Sequence, residues 1–244
     1  MKILIPVISA ILSGVLVFFV MQKRYSSSVE HQRVIELKNA ALCVQKQLNE
    51  ISDQIKERLA SFTEGIGADR DFSIKLLVEN DRSAPVIAES AIRYRGAMGF
   101  SLLELTDSTG LILSSGHFPA SAGSNAGDKL SLLSDKPVMM EDNVMGMQVL
   151  AWQAKKAFKI AEIPFYAMGG LTVDDELLQT LSPRDKISVL LKRGDDIMGM
   201  QDVRSISEVK NNEIIINDKK YPAVEIELPY KGDGEMPKLI VVAM

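Results

Sequence analysis

The sequence predicts an α+β protein in which long helices precede antiparallel β-sheet. Apolar residues recur at helical spacing from Val34 to Ile55, and beyond Gly99 they alternate with polar residues at the period of a strand. Short turns rich in Gly and Asp separate the alternating segments, as in β-hairpins. With 244 residues, of which 46% are hydrophobic, the chain has enough apolar material for one or two packed domains.

The N-terminal residues 1–24 are expected to form a transmembrane signal anchor. Residues 3–22 carry no charged side chain, and a helix of about 20 apolar residues matches the hydrocarbon core of a bilayer. The run ends in Gln22-Lys23-Arg24 and not in a small-x-small cleavage site. This ending favours an uncleaved anchor over a cleaved signal peptide, which is the main alternative. The charges on the two flanks do not by themselves determine the orientation.

Residues 25–65 are predicted to form one long helix next to the membrane. Its apolar positions follow a spacing of three and four residues, and they are Val34, Leu37, Ala41, Val44, Leu48, Ile51 and Ile55. Such a seam suits two arrangements that do not exclude each other. The helix can pack against its own domain, or it can pair with a second copy in a parallel homodimer. Gly65-Ile66-Gly67 is expected to end the helix.

Residues 66–172 are predicted to form a first, membrane-distal domain. Short helices lie between Asp71 and Tyr94, and a hairpin follows in which a turn at residues 107–110 joins strands at 100–106 and 111–115. Residues 119–128 form a loop in this interpretation. The expected later strands are 147–152 and 158–168, the second bulged at Pro164. Residues 173–244 are predicted to form a smaller, β-rich, membrane-proximal unit that begins with a short helix.

Composition and motifs argue against several classes of function. A net charge of −4 gives no electrostatic footprint for nucleic acid. Cys43 is the single cysteine, so the chain can form neither an intramolecular disulfide nor a cysteine metal cluster. The two histidines, His31 and His117, are too far apart for a zinc-protease motif, and no glycine-rich phosphate loop is present. We therefore expect no catalytic residues, no metal site and no cofactor in this chain.

Several segments together resemble the extracytoplasmic Cache (PAS-like) sensor region of bacterial sensor histidine kinases and chemoreceptors. The segments that carry the resemblance are Gly99–Leu105 (GFSLLEL), Asp107–His117 (DSTGLILSSGH), Pro164–Gly170 (PFYAMGG) and Asp174–Leu178 (DDELL). The resemblance spans residues 25–244 and allows a double Cache arrangement. It implies a sensor that binds a small molecule on a sheet and signals through helices that cross the inner membrane. It also implies a cytoplasmic N-terminus and a periplasmic body.

The resemblance further implies a second membrane span and a transmitter after Met244, because the sequence contains neither a phosphoacceptor box nor an ATP lid. The parent protein would then be a two-component histidine kinase. Two alternatives stay open at this point. The chain could be the input region of a chemoreceptor or diguanylate cyclase, or it could be a membrane-tethered structural or assembly protein without a small ligand.

In Cache domains the pocket lies on the sheet under a cover of helices and loops, which indicates candidate ligand-binding residues here. These candidates are Arg93, Tyr94, Ser115, His117, Trp152 and Tyr166. A guanidinium beside hydroxyl groups suits a carboxylate-bearing ligand, because it binds carboxylates through two parallel hydrogen bonds. The competing interpretations are a surface position for Arg93, a core position for Trp152 and a loop position for His117.

Overall fold

The computed structural model describes residues 4–183, 186–200, 203 and 205–244, with side chains from residue 32 onward. Helix α1 (Leu4–Ala68) is 65 residues long and continues through Gly65 and Gly67, so its predicted end was a few residues early. Among the residues searched in the described part, no helix is long and apolar enough to cross a membrane. The side chains of the predicted span, residues 3–22, lie outside that part.

Short helices and eleven named strands follow α1. The helices are α2 (Arg70–Ser73), a π-helical turn (Ile74–Val78), α3 (Pro85–Ala88), α4 (Ser90–Ala97), a 3₁₀ turn (Pro119–Ser121), α5 (Gly127–Leu132) and α6 (Asp175–Leu181). The strands are β1 (Leu102–Asp107), β2 (Ile112–Ser115), β3 (Val138–Val144), β4 (Met147–Ile160), β5 (Ile163–Thr172), β6 (Ile187–Arg193), β7 (Asp196–Met198), β8 (Glu213–Ile216), β9 (Lys219–Glu227), β10 (Tyr230–Lys231) and β11 (Lys238–Ala243).

The strands form two sheets that α1 joins. The first sheet has the order β10-β3-β4-β5-β1-β2 and the second has the order β7-β6-β11-β9-β8. All pairs are antiparallel except β10 with β3, which is parallel. Helix α1 contacts β4 and β5 of the first sheet and β9 and β11 of the second. The predicted C-terminal unit, residues 173–244, therefore contributes β10 to the edge of the first sheet. A division of the sequence at residue 172 does not show this contribution.

The apolar seam of α1 packs inside its own chain. Its residues Leu37, Val44 and Ile55 are 1% exposed or less. The interpretation of α1 as an amphipathic helix against its own domain is confirmed. The same burial means that this seam is not available as an interface with a second copy.

The strand pair β4–β5 corrects the predicted strand at 158–168. The chain turns at Ala161 and Glu162, which have φ of 46° and 69°, so residues 158–160 and 163–168 belong to two different strands. Neither residue is Gly or Asn, the usual residues at such a turn, and the sequence therefore carried no turn signal. Strand β3 was also missed, because residues 138–144 do not alternate between apolar and polar.

Candidate functional site

The first sheet has two faces with different partners, and register assigns each side chain to one of them. Glu104 lies opposite Ser115 on β2 and Met168 on β5, and Met168 lies opposite Lys155 on β4. Directly opposed residues of neighbouring strands point to the same side of a sheet. These four residues therefore share one face, while their neighbours in sequence point to the other face.

The other face packs against helices and holds half of the predicted site. The Trp152 indole nitrogen donates to Ser52 Oγ of α1 at 2.9 Å. The Tyr94 ring packs edge-on against Phe62 of α1, with centroids 5.2 Å apart. Arg93 is exposed and donates to the backbone oxygen of Val86 at 3.1 Å. The structure therefore places Trp152 and Tyr94 in helix packing and Arg93 at the surface, and it does not bring these three candidates to Ser115, His117 and Tyr166.

The face that carries Glu104 is covered by the segment of residues 116–137, which we call the cover. Leu130 of helix α5 and Leu133, which follows that helix, form an apolar cluster with Met140 and Met168 of the sheet. Tyr166 packs against this cluster. The Nζ atom of Lys155 donates to the backbone oxygen of Leu130 at 2.7 Å. The cover thus closes over the sheet through apolar packing and a lysine that reaches up from β4.

A cluster of charged side chains lies between the cover and the sheet. Lys129 Nζ of α5 is 2.8 Å from Glu104 Oε2 on β1 and 2.5 Å from Asp142 Oδ2 on β3. The side chains of Glu104 and Asp142 are only 6% and 9% exposed. Burial opposes the charge on Lys129, but the two carboxylates outweigh it and raise the pKa of Lys129. One buried ammonium therefore neutralises part of the charge of two buried carboxylates.

His117 lies at the edge of this cluster and is uncharged near neutral pH. Burial lowers its pKa, even though Glu104 and Asp142 act in the opposite direction. Its Nδ1 accepts the Leu103 backbone N–H at 3.3 Å and lies 3.4 Å from Ser115 Oγ. Because Nδ1 accepts, the proton of the neutral ring is on Nε2. This Nε2 is 3.5 Å from Glu104 Oε1 and makes no hydrogen bond within the described part of the chain.

Gln153 is the most unusual polar group of the covered face. It lies opposite Gly170 on β5 and Val138 on β3. It is two residues before Lys155 on β4, so both side chains point to the same face. The side chain is fully buried, yet neither its Oε1 nor its Nε2 has a hydrogen-bond partner among the described residues. Leaving a buried amide unpaired costs free energy. Gly170 lets the side chain fit there, because a Cβ at this glycine would lie 2.8 Å from both Cα and Cγ of Gln153.

Tyr166 completes this face. Its ring lies 5.6 Å from the Lys155 ammonium, and it sits opposite Thr106 on β1. Three predicted residues, Ser115, His117 and Tyr166, thus lie on the covered face. Sequence reasoning missed Glu104, Lys129, Asp142 and Gln153. The one available signal was a charged residue at position 104 inside an otherwise apolar strand.

A separate open cleft of about 380 Å³ lies between the two sheets. Its apolar floor includes Leu150 and Leu191, and its charged rim includes Glu141, Arg193 and Asp174. Arg193 is paired with Glu141, and Asp174 caps α6 by accepting from the Leu177 backbone N–H. Because these rim groups already have partners, we regard the covered face, where buried polar atoms are unpaired, as the candidate site.

Comparisons with known proteins identify the fold. No family model matches the sequence, and no curated protein matches it. Among solved structures, the sensor domain of the histidine kinase DctB from Vibrio cholerae is 12% identical with a TM-score of 0.52, and the match covers 88% of this chain and 95% of that one. The periplasmic domain of Vibrio cholerae LuxQ is 11% identical with a TM-score of 0.53, over 85% of this chain and 99% of that one.

A chemoreceptor is similar to the same extent. The sensory domain of Campylobacter jejuni Tlp3, crystallised with isoleucine, is 10% identical with a TM-score of 0.55, over 89% of this chain and 94% of that one. The chain therefore has the fold of extracytoplasmic sensor domains of histidine kinases and chemoreceptors, as the Cache (PAS-like) resemblance predicted. At these identities the likeness concerns the fold.

Proposed function

We propose that the chain is the extracytoplasmic input region of a membrane-bound two-component sensor histidine kinase, and that it binds a small ligand on the covered face. The observation that carries the proposal is the unpaired Gln153 amide, together with the unpaired Nε2 of His117, on a covered face where Glu104, Asp142, Lys129 and Lys155 also meet. Unpaired buried polar groups are rare in folded proteins, and a ligand that pairs with them gains the hydrogen bonds that folding left unmade.

An amino acid or a similarly charged small molecule suits this face. Tlp3 has been crystallised with isoleucine and with L-valine, and the covered face offers both signs of charge through Glu104, Asp142, Lys129 and Lys155. Arg93 takes no part in this proposal, because it is exposed on the other side of the sheet. A ligand carboxylate is expected to pair with a lysine instead. The input region of a chemoreceptor is the second candidate, since Tlp3 is as similar to this chain as DctB is.

A ligand screen by thermal shift on the full chain, purified in mild detergent, tests the proposal. A ligand at 100 times its Kd stabilises the folded state by about 2.7 kcal/mol, which corresponds to a rise in Tm of about 5–11 °C at this chain length. The variant Gln153→Met removes both unpaired atoms at similar volume. It should make the unliganded protein at least as stable and should abolish the response to ligand.

Trp152→Phe is the matched control, because it changes the neighbouring residue on the opposite face and should leave the Kd unchanged. A ligand response that survives Gln153→Met would locate the ligand elsewhere. If no small molecule changes Tm, the tethered structural or assembly protein becomes the better interpretation.

The membrane part of the proposal rests on sequence. Residues 3–22 are proposed to span the inner membrane once and to leave the body in the periplasm. A phosphatase reporter fused after Ser28 should be active and should stay in the membrane fraction. A soluble mature protein that begins near Tyr25 would contradict the anchor.

A homodimer through α1 would need another surface than the buried seam. Ile35 and Leu42, one heptad apart, are 46% and 69% exposed and are the proposed contacts. Sedimentation of the full chain in detergent should show a dimer that Leu42→Asp dissociates.

A further inference from the structure

We infer that the covered face is an ammonium-binding site which Lys129 itself occupies in this structure, so that a ligand enters by exchanging its own cation for that of Lys129. The inference rests on the proposed function and names the ligand class, which is a molecule with a primary ammonium group. The site consists of Glu104 and Asp142, with Lys129 as the internal competitor.

The three charges come from different parts of the structure. Glu104 and Asp142 are carried by β1 and β3, where regular pairing with neighbouring strands holds their backbone in place. Lys129 belongs to α5, a six-residue helix in the cover. If the cover lifts, the carboxylates stay on the sheet and lose only their counter-ion. The sheet by itself thus presents two anionic groups arranged around the position of one ammonium nitrogen.

A second observation indicates that Lys129 is an incomplete occupant. With Lys129 in place, the His117 Nε2–H, although 3.5 Å from Glu104 Oε1, and the Gln153 amide N–H groups are not hydrogen-bonded to any acceptor among the described residues. A lysine ammonium has donors only and cannot supply one. A ligand with a carboxylate beside its ammonium could satisfy these donors as well as the two carboxylates. Such a ligand therefore makes hydrogen bonds that Lys129 cannot make, and this difference favours the exchange.

The exchange conserves charge and breaks no covalent bond. The ligand ammonium takes the place of Lys129 Nζ between Glu104 Oε2 and Asp142 Oδ2. The released Lys129 ammonium becomes available to the ligand carboxylate or to solvent. Because Lys129 is part of α5, its release changes the packing of the cover, and a signal can begin there.

Three probes that share an isobutyl unit test the inference on the full chain. L-valine carries both charged groups, isobutylamine lacks the carboxylate, and isovalerate lacks the ammonium. Thermal shift and calorimetric titration should detect binding of L-valine and isobutylamine but not of isovalerate. Lys129→Ala should bind isobutylamine about tenfold more tightly than wild type. In the wild type Lys129 occupies the site in most molecules, which reduces the fraction of protein that is free to bind the amine.

Asp142→Asn provides a second variant that keeps one ion pair, since Lys129 still faces Glu104. It should weaken isobutylamine binding by about tenfold, the usual effect of losing a charge-assisted hydrogen bond. If Lys129→Ala folds only with added amine, recovery by isobutylamine but not by isobutanol or sodium chloride supports the same conclusion.

Two results separate this inference from the proposed function. A response of the wild type to isovalerate that Gln153→Met abolishes would overturn the ammonium site and leave the proposed function standing. Equal isobutylamine affinities of wild type and Lys129→Ala would overturn it as well. If no small molecule shifts the wild type while Lys129→Ala binds isobutylamine tightly, the ammonium site stands and the proposed sensory role fails.

Discussion

Replacing Lys129 by Met would test whether the charged cluster under the cover is as dry as the structure indicates. The substitution keeps most of the apolar length of the side chain and removes the ammonium. It leaves Glu104 and Asp142, each within 2.8 Å of the former Nζ position, without their shared counter-ion. The two neighbouring carboxylates then lie without a compensating cation in a largely buried position, which destabilises the folded state.

The expected loss follows from the burial of the three groups. Removing one partner of a buried ion pair costs about 3–5 kcal/mol, whereas a solvated surface pair contributes about 0–1 kcal/mol. The carboxylate side chains are 6% and 9% exposed, and the Lys129 side chain is 15% exposed. Because some water reaches Lys129, we take the lower end and expect a loss of about 3 kcal/mol. At this chain length the loss corresponds to a decrease in Tm of about 6–12 °C.

Urea denaturation of the wild type and of Lys129→Met at pH 7 would measure this loss. The triple variant Glu104→Gln, Lys129→Met, Asp142→Asn should return to within about 1 kcal/mol of the wild type, since a buried ion pair adds little over a neutral replacement. A loss below about 1 kcal/mol in Lys129→Met would show that the cluster is solvated and that the cover stands open in solution.

Three further substitutions test the two faces and the proton balance. Because burial lowers the pKa of His117 below its ordinary value of about 6.5, its neutral form stabilises the fold above that pH and the stability is lost as the pH falls below it. In His117→Asn, Oδ1 can still accept the Leu103 N–H, and the urea denaturation midpoint should change less between pH 7 and pH 5 than it does in the wild type. An unchanged pH dependence would mean that another group titrates. Trp152→Phe should lower the free energy of unfolding, measured by urea denaturation, by about 1 kcal/mol for the lost hydrogen bond to Ser52 and by a further amount for lost packing. A double-mutant cycle with Ser52→Ala should show coupling between the two residues. Additive losses would contradict the contact. Gly170→Ala should lower Tm strongly, because its Cβ would lie 2.1 Å from the Trp152 backbone oxygen; a Tm within 2–4 °C of wild type, about 1 kcal/mol, would show that β4 shifts easily.

The hairpin of β1 and β2 shows why part of this fold could be predicted from sequence. The turn residue Asp107 accepts the backbone N–H groups of Thr109 and Leu111 through its own carboxylate, at 2.9 and 3.1 Å. Burial acts to raise the pKa of Asp107, but the Thr109 hydroxyl and these two backbone N–H groups outweigh it and lower that pKa, and they connect residues only two and four positions apart. Local chemistry of this kind is visible in any window of five residues. The β4–β5 turn at Ala161 and Glu162 has no such local signal, and its position was missed.

The grouping of the candidate residues was only partly predictable for a similar reason. Ser115, His117 and Tyr166 lie on one face, and they follow or lie within strands whose alternation was visible in sequence. Arg93, Tyr94 and Trp152 lie on the other side of the sheet, because a shift of one residue along a strand, or a helix packed on the other face, moves a side chain to the opposite face. The contacts of Trp152 and Tyr94 with α1 depend on the choice of face, which periodicity does not encode.

The sequence by itself determined the long N-terminal helix, its apolar seam and the β1–β2 hairpin, because each depends on residues within a few positions of one another. Only the tertiary structure decided that Glu104, Lys129 and Asp142 form one cluster. Lys129 is 25 residues from Glu104 and 13 from Asp142, and each belongs to a different element. Their meeting depends on the strand order of the sheet and on the path of the cover, and both result from burying apolar surface across the whole domain.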